Sequence, residues 1–543
     1  MLIEFILRKL RFLLDGNNSS YYQTEHKDRT YTSVGDIGNN LDENLCSLKK
    51  LFVNSSDLKI HKFKFGGGYE FSGAVAFIDG LASSSTVTEA ILRPIIEWQP
   101  EEGPLSMREI ADILSESVLW AGEVEKVSTM SKLAGGCLSG DTAILIDGCC
   151  HALVVNSKGW DKRSVAEPES ETVVRGPREG FTENLRTNTA LIRRKIKNPK
   201  LRTEMLTVGR KTQTDICLMY LDGVADEKVV EKVKYRISNL KVDSILESGY
   251  IEEYIEDAPF SPFATIGSTE KPDVVAGRLL EGRVAIVVDG TPFVLTVPML
   301  FIEIFQTTED YYTRPLYASI MRMLRMTAYF ITIFAPAIYI SLTAFHQELL
   351  PTTLLFTIAN AREGTPFPVF LEILIMIFSY EILREAGIRL PRAVGQAVSI
   401  VGALIMGEAA TSAGLVGAPV VITVALTAVS SFLVPMQNES ASIIRILIMI
   451  LSSILGLYGV AMGFLALLLY LGSLTSFGID FFAGFAWTRN LQDSAVRMPL
   501  WTMVKRPANI ARGDMTRRRF FVPPLRPYAA EEEDDSEGGE DVE

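Results

Sequence analysis

The sequence predicts an α/β soluble N-terminal region of two similar subdomains, followed by an α-helical multi-span membrane bundle and a disordered acidic tail. Three observations carry this reading. Charge is unevenly placed: residues 1–325 hold 46 acidic and 39 basic groups, residues 326–487 hold 13 charges in 162 positions, and residues 531–543 hold nine acids and no base. A soluble domain is about 25% charged. The middle segment therefore excludes a single soluble fold, and the first 325 residues exclude a wholly membrane-embedded one. Four Asp-Gly pairs recur at matched spacing inside apolar runs. Long stretches after Met326 carry no charge, or one.

Residues 1–59 are expected to be an amphipathic helix and a polar linker. Leu2, Ile3, Ile6, Leu7, Leu10, Leu13 and Leu14 follow helical spacing, while Glu4, Arg8, Lys9 and Arg11 interrupt any apolar core of a signal peptide. Such a helix suits a membrane surface or another protein surface. Asp15–Asn44 is rich in Asn, Ser, Asp and Thr and reads as linker.

Residues 60–194 and 195–313 are expected to be the two α/β subdomains. Ala74–Ala82 (AVAFIDGLA) and Cys217–Ala225 (CLMYLDGVA) each read as strand, Asp-Gly turn and helix start. Ala143–Val155 and Ala285–Val297 each hold an Asp-Gly pair between apolar runs, the pattern of a β-hairpin. Asp79 to Asp147 is 68 residues and Asp222 to Asp289 is 67, so the halves are offset by 142–143.

No catalytic, cofactor or metal site is legible. The five cysteines form no CxxC pair and no disulfide framework. The adjacent Cys149 and Cys150 read as small residues on a strand, and the four histidines lack ligand spacing. Gly66-Gly67-Gly68 lacks the Lys and helix of a phosphate loop. The acidic run Glu252–Asp257 reads as a solvated helix face, and the basic run Arg193–Lys200 as a helix end or a protein contact.

Residues 314–487 are expected to be a transmembrane bundle of four or six spans. Met326–Phe345 has 20 uncharged residues, enough to cross a core of about 30 Å. Gly364–Tyr380 is broken only by Glu372, and Ala393–Asn438 only by Glu408. The latter reads as two helices turning near Ala413–Pro419. Ile446–Ile479 has 34 uncharged residues, open to a hairpin, a re-entrant pair or one tilted helix. Arg314, Arg322 and Arg325, then Arg384, Arg389 and Arg392, then the basic juxtamembrane segment 488–530 all belong on the cytoplasmic side by the positive-inside rule. That places both termini inside. Pro351–Arg362 reads as an interfacial or pore-rim helix.

Small residues at Ala403-xxx-Gly407, Ala410-xxx-Gly414 and Gly459-xxx-Gly463 favour close helix packing and a homo-oligomer. Glu372, Glu408 and Arg389 are the candidate pore or coupling residues, because a carboxylate at membrane depth must be paired, protonated or wet. The competing reading pairs each Glu with Arg384, Arg389 or Arg392. The tail 531–543 reads as a separate appendage. The acidic soluble region argues against nucleic acid.

Ordered motifs run through the chain. They include Arg175-Gly176-Pro177, Glu270-Lys271-Pro272-Asp273, Asp289-Gly290, Glu309-Asp310-Tyr311-Tyr312, Arg384-Glu385-Ala386-Gly387 and Pro391. Together they resemble the A subunits of GerA-family spore germinant receptors, from about Phe77 to the last membrane segment. The resemblance implies a multi-pass protein of the spore inner membrane, with no enzymatic activity and no cofactor. It implies assembly with a transporter-like B subunit, which binds the nutrient, and a lipoprotein C subunit. It also implies an oligomeric, nutrient-gated ion channel. Glu408 and the acidic tail depart from the family pattern. A secondary transporter, or a membrane scaffold subunit without its own pore, are the alternatives.

Overall fold

In the computed structural model the described residues are 35–53, 55–67, 71–100, 107–120, 123–159, 168, 171, 173–389, 407–483, 493–507, 510–511, 514 and 516–517. The expected N-terminal amphipathic helix, Gly68, Pro391, Arg392, the run 393–406 and the acidic tail lie outside them. The chain divides into two compact units, one drawn from Met1–Lys50 and Lys59–Gly159, the other from Leu51–Leu58 and Trp160–Glu543.

The first unit starts with α1 (Leu41–Leu51). Then come β1 (Leu58–Phe65), β2 (Phe71–Ile78), π-helical turns Thr86–Leu92 leading into α2 (Arg93–Glu97), and α3 (Met107–Ile113). It closes with β3 (Val124–Val127), α4 (Met130–Leu138), β4 (Thr142–Ile146) and β5 (Ala152–Val155). Its sheet has the order β1-β2-β4-β5-β3. One face packs Val75, Ile144 and Leu153 against Ile91, Ile95, Ile110 and Leu114.

The second unit repeats the plan. It has α5 (Leu185–Lys195), β6 (Leu201–Val208), β7 (Thr214–Leu221), α6 (Glu227–Ser238), α7 (Ser248–Ile255), β8 (Gly267–Thr269), α8 (Pro272–Leu280), β9 (Val284–Val288) and β10 (Val294–Val297). The order is β6-β7-β9-β10-β8, the first sheet's order strand for strand. Side chains alternate across β7: Cys217 and Met219 meet Leu191 of α5 and Leu279 of α8, while Ile216 and Leu218 meet Val233 of α6 and Ile251 of α7. Helices cover both faces, so this strand is an unbroken apolar run. Each buried Leu, Ile or Val contributes about 1.5–3 kcal/mol.

The glycines of the four evenly spaced Asp-Gly pairs take positive φ: Gly80 84°, Gly148 81°, Gly223 78° and Gly290 88°. The expected hairpins form, since β4 pairs with β5 and β9 with β10. Their last paired residues are Ile144 with Leu153 and Ile286 with Leu295, so the connections are longer than a two-residue turn. The reason is that Asp147 and Asp289 face the helix before each sheet. Asp147 accepts the N–H of Leu41, and Asp289 that of Leu185, each at 3.0 Å.

After the turn α9 (Glu309–Tyr312), Pro315 sits at the first position of α10 (Pro315–Ala344), where a missing N–H costs nothing. Then follow α11 (Thr352–Arg362), α12 (Val369–Arg389), a helical turn at 407–412, α13 (Ala418–Ser431), α14 (Asn438–Leu455) and α15 (Leu457–Ser473). α10 lies against α12, α13, α14 and α15. α10 and α14 are long and apolar enough to cross a membrane; α13 and α15 are shorter apolar helices. Ile446–Ile479 is thus two helices, broken at Gly456. There φ is 61°, and a Cβ would strike Phe345 at 2.9 Å. A Cβ on Gly459 would lie 2.2 Å from the Leu451 carbonyl, and one on Gly463 3.3 Å from Ile448. This small-residue seam therefore serves the chain's own α14–α15 contact. A short hairpin, β11 (Thr475–Ser476) and β12 (Ile479–Asp480), ends the helical region.

Candidate functional site

The root of α10 is a buried ionic cluster. Asp310, in α9, accepts from Arg322 Nε at 2.9 Å and from both Nη atoms of Arg325 at 3.0 and 2.9 Å. The two arginines are three residues apart, so both point back along one helix face. Arg322 is fully buried and also donates to Asp493 Oδ1 at 2.9 Å. The Tyr311 hydroxyl donates to Asp493 Oδ2 at 2.8 Å. The guanidinium groups of Arg322 and Arg497 lie 5.5 and 5.7 Å from the Tyr311 ring centroid. Burial alone raises the pKa of Asp310, but hydrogen bonds from Arg325 and Arg322 overcome it and hold the carboxyl below its usual value.

Three of the separated family motifs meet beside this root. Lys271 is buried, and its Nζ donates to Thr308 Oγ1 at 3.1 Å. Asp273 accepts from the Tyr312 hydroxyl at 2.8 Å. The Arg175 N–H donates to Glu309 at 3.2 Å, and Gly176 lies so close to the Tyr312 ring that a Cβ would approach it to 2.9 Å. Pro272 is the first residue of α8. Glu270 is buried, and its carbonyl accepts from Phe181 N–H at 2.8 Å. These motif residues build the junction where the second sheet joins α10.

The far end of the helical region returns to the same α/β body. Ser476, fully buried, accepts from Met299 N–H at 3.1 Å and donates to the Thr265 carbonyl at 2.7 Å. The Phe477 ring lies 4.8 Å from the Arg236 guanidinium and 5.9 Å from Lys232 Nζ. Asp257 accepts from Thr475 Oγ1 at 3.2 Å and from Gly478 N–H at 3.3 Å. The acidic run that read as a solvated face is therefore partly structural: Glu256 also accepts from Thr265 N–H and Oγ1 at 2.7 and 2.8 Å.

Within the apolar helices Glu372 is fully buried. It accepts from Arg362 Nη2 at 3.4 Å, Thr365 Oγ1 at 3.3 Å and Gly417 N–H at 3.1 Å. Its described partner is Arg362, not Arg384 or Arg389. Glu372 lies in the first turn of α12. Arg384 is 12 residues on, roughly 18 Å along a helix. Arg384 instead pairs with Glu381 at 2.7 Å. Glu381 also accepts from the buried Arg445 of α14 at 2.6 Å and from Ser442 at 3.0 Å. Arg389 is exposed and bonded to Glu385 one turn away, at 2.6 and 2.8 Å. Glu408 is exposed in the 407–412 turn, so Glu372, Glu408 and Arg389 form no single constellation. Gly387 lies in the last turns of α12. Sequence reading missed Arg362, Glu381 and Arg445; the only signal was that each is a charge in an apolar neighbourhood. Helix α11 is exposed nearly all round, with Phe356 and Leu354 outward.

The basic segment after the last helix turns back on the chain. Arg517 pairs with Glu281 at 2.7 Å and Arg506 with Asp514 at 2.8 Å. Glu281 also holds the buried Arg283, which reaches Glu303. In the basic run on α5, Arg193 is buried and bonded to both oxygens of Asp57 at 2.7 and 3.0 Å. All five cysteines are free thiols. Burial pushes Cys137 and Cys217 up to about 12, which keeps them unreactive. Cys149 and Cys150 lie in the loop between β4 and β5, not on a strand. Among the described residues no three His, Cys, Asp or Glu side chains gather as a metal site would require.

An α/β body is thus tied to one end of a run of apolar helices by buried ion pairs and to the other by hydrogen bonds, and two of those helices are long and apolar enough to cross a membrane. The Bacillus/Clostridium GerA spore germination protein family matches residues 46–509, and the chain belongs to that family. It is 45% identical over 486 residues to spore germination protein KA of Bacillus subtilis, covering 89% of each chain. It is 44% identical to the uncharacterized membrane protein YfkQ of the same organism, covering 88% of this chain and 93% of the relative. Among solved structures, the N-terminal domain of the A subunit of the Bacillus megaterium spore germinant receptor GerK3 is 37% identical. It matches 50% of this chain and 98% of that one, with a TM-score of 0.39.

Proposed function

We propose that this chain is the A subunit of a nutrient germinant receptor in the spore inner membrane. In this reading it spans the membrane six times with both termini cytoplasmic, and works with a transporter-like B subunit and a lipoprotein C subunit. Copies of the chain surround an ion pathway that opens when the complex binds its germinant. Five of the spans are α10, α12, α13, α14 and α15; the sixth rests on the uncharged sequence from Ala393 alone, which lies outside the described residues.

The observation that carries the pathway is Glu408. It is exposed in the single chain, yet lies in a 46-residue run with no other charge. A Cβ on the neighbouring Gly407 would lie 3.2 Å from Val421, one turn inside α13. A carboxylate at that depth cannot face lipid, so it faces water or another subunit. Glu372 is neutralised by Arg362 and acts as a brace. Glu408→Gln, in spores with normal amounts of the chain, slows nutrient-triggered release of monovalent cations severalfold. Release at the normal rate would favour the scaffold reading instead.

A further inference from the structure

The loop between α7 and β8 carries a single outward aromatic residue on a rigid mount. The Ser261 N–H donates to the Ala258 carbonyl at 2.9 Å, closing a turn with Pro259 and Phe260 at its tip, and proline fixes the backbone there. Phe260 is fully exposed, at 101%. Both sides of the turn are pinned. Asp257 is bonded to Thr475 and Gly478 of the hairpin that follows α15. Phe263, only 1% exposed, has its ring 6.3 Å from Tyr470 in the last turn of α15 and 5.9 Å from Phe301. The tip therefore stands beside the end of α15. On that helix Tyr458, Met462, Leu465 and Leu469 form an outward apolar stripe, spaced for one helix face.

We infer that Phe260 is a membrane anchor, inserted among the lipid headgroups and upper acyl chains on the side where α15 leaves the bilayer. This rests on the reading that α15 spans the membrane. Large aromatic side chains gather at that depth. The basic side chains shown beside the turn, Lys232 and Arg236, are paired with Asp257, so insertion relies on the apolar ring and not on attraction to anionic lipid. The anchor holds the second α/β unit against the bilayer at a point separate from its covalent link through Pro315.

The test is site-specific photo-crosslinking in membranes holding the full receptor. p-Benzoylphenylalanine replaces Phe260 in one variant and Leu469 in another, with phosphate-labelled phospholipid. Labelled lipid adducts at both positions are the expected result, with the yield at 260 unchanged when anionic lipid is reduced. Lipid adducts at 469 together with only protein adducts, or none, at 260 overturn the anchor and leave the span intact. No lipid adduct at 469 overturns the span and the anchor together.

Discussion

Asp289 Oδ1 accepts the backbone N–H of Leu185 at 3.0 Å, fastening the first residue of α5 to the turn after β9. Asp147 and Leu41 repeat this at 3.0 Å in the first unit. The surroundings repeat too. Asn44 bonds Gly38 through both its carbonyl oxygen and amide nitrogen, and Asn188 does the same with Thr182. Asn40 and Asn184 each cap the following turn. Replacing such a cap by Ala costs about 1 kcal/mol. Asp289→Ala is expected to speed amide exchange across Leu185–Lys195 while Leu41–Leu51 keeps its protection, and Asp147→Ala to do the reverse. Exchange rising in neither helix would remove this role from the Asp-Gly pairs.

Arg322 is a second point of vulnerability. Asp310→Ala leaves a fully buried guanidinium with one carboxylate fewer, and breaking a buried pair from one side costs about 3–5 kcal/mol. The expected outcome is a large fall in the thermal midpoint of the purified protein. Arg322→Lys in the otherwise unchanged protein lowers it too, because an ammonium cannot reach Asp310 and Asp493 together as the planar fork does.

Glu252 gives a pH dependence with a definite sign. Burial, then repulsion from Glu256, Glu247 and Glu439, raises its pKa from 4.5 to about 7. The folded protein thus holds this proton more tightly than the unfolded chain. The penalty is absent below pH 4.5, grows between there and about 7, and is complete above. Glu252→Gln should therefore raise the thermal midpoint at pH 8, and the gain should vanish by pH 4.5. A gain of equal size at both pH values would rule out titration of this group.

Ser476→Ala strands the Met299 N–H and the Thr265 carbonyl, both bonded to the Ser476 hydroxyl in the interior. Each orphaned group costs about 1–3 kcal/mol. Limited proteolysis near residues 475–480 should accelerate markedly; unchanged cleavage would mean that the hairpin is held by other contacts.

Arg389 offers a contrast. Its exposed pair with Glu385 is of a kind worth about 0.3–0.5 kcal/mol. Arg389→Ala should leave the thermal midpoint almost unmoved, and a loss as large as that of Asp310→Ala would place Arg389 in an interface.

The repeat was legible because spacing survives in sequence: Asp79, Asp147, Asp222 and Asp289 kept their intervals. What the aspartates do was not, since Leu41 and Asp147 are 106 residues apart. The same limit applies to the ion pairs. Glu381 finds Arg445 across 64 positions, and Arg322 finds Asp493 across 171. Glu372 was visible as a buried charge, but its partner Arg362 lies ten residues back across a turn, whereas reading forward along the helix pointed to Arg384. Gly459 and Gly463 announced close packing, but not that the neighbour was the preceding helix.

Pro315 and Ser476 bracket the apolar helices, and both are anchored to the same α/β body. The bundle of helices is thus fastened to that body at both of its chain ends, as by two rivets. A torque on that body reaches the first and last helices at once, and neither can slide along its axis alone. Loosening one rivet still leaves the other to transmit the motion, so mechanical uncoupling requires flexible insertions at both ends together.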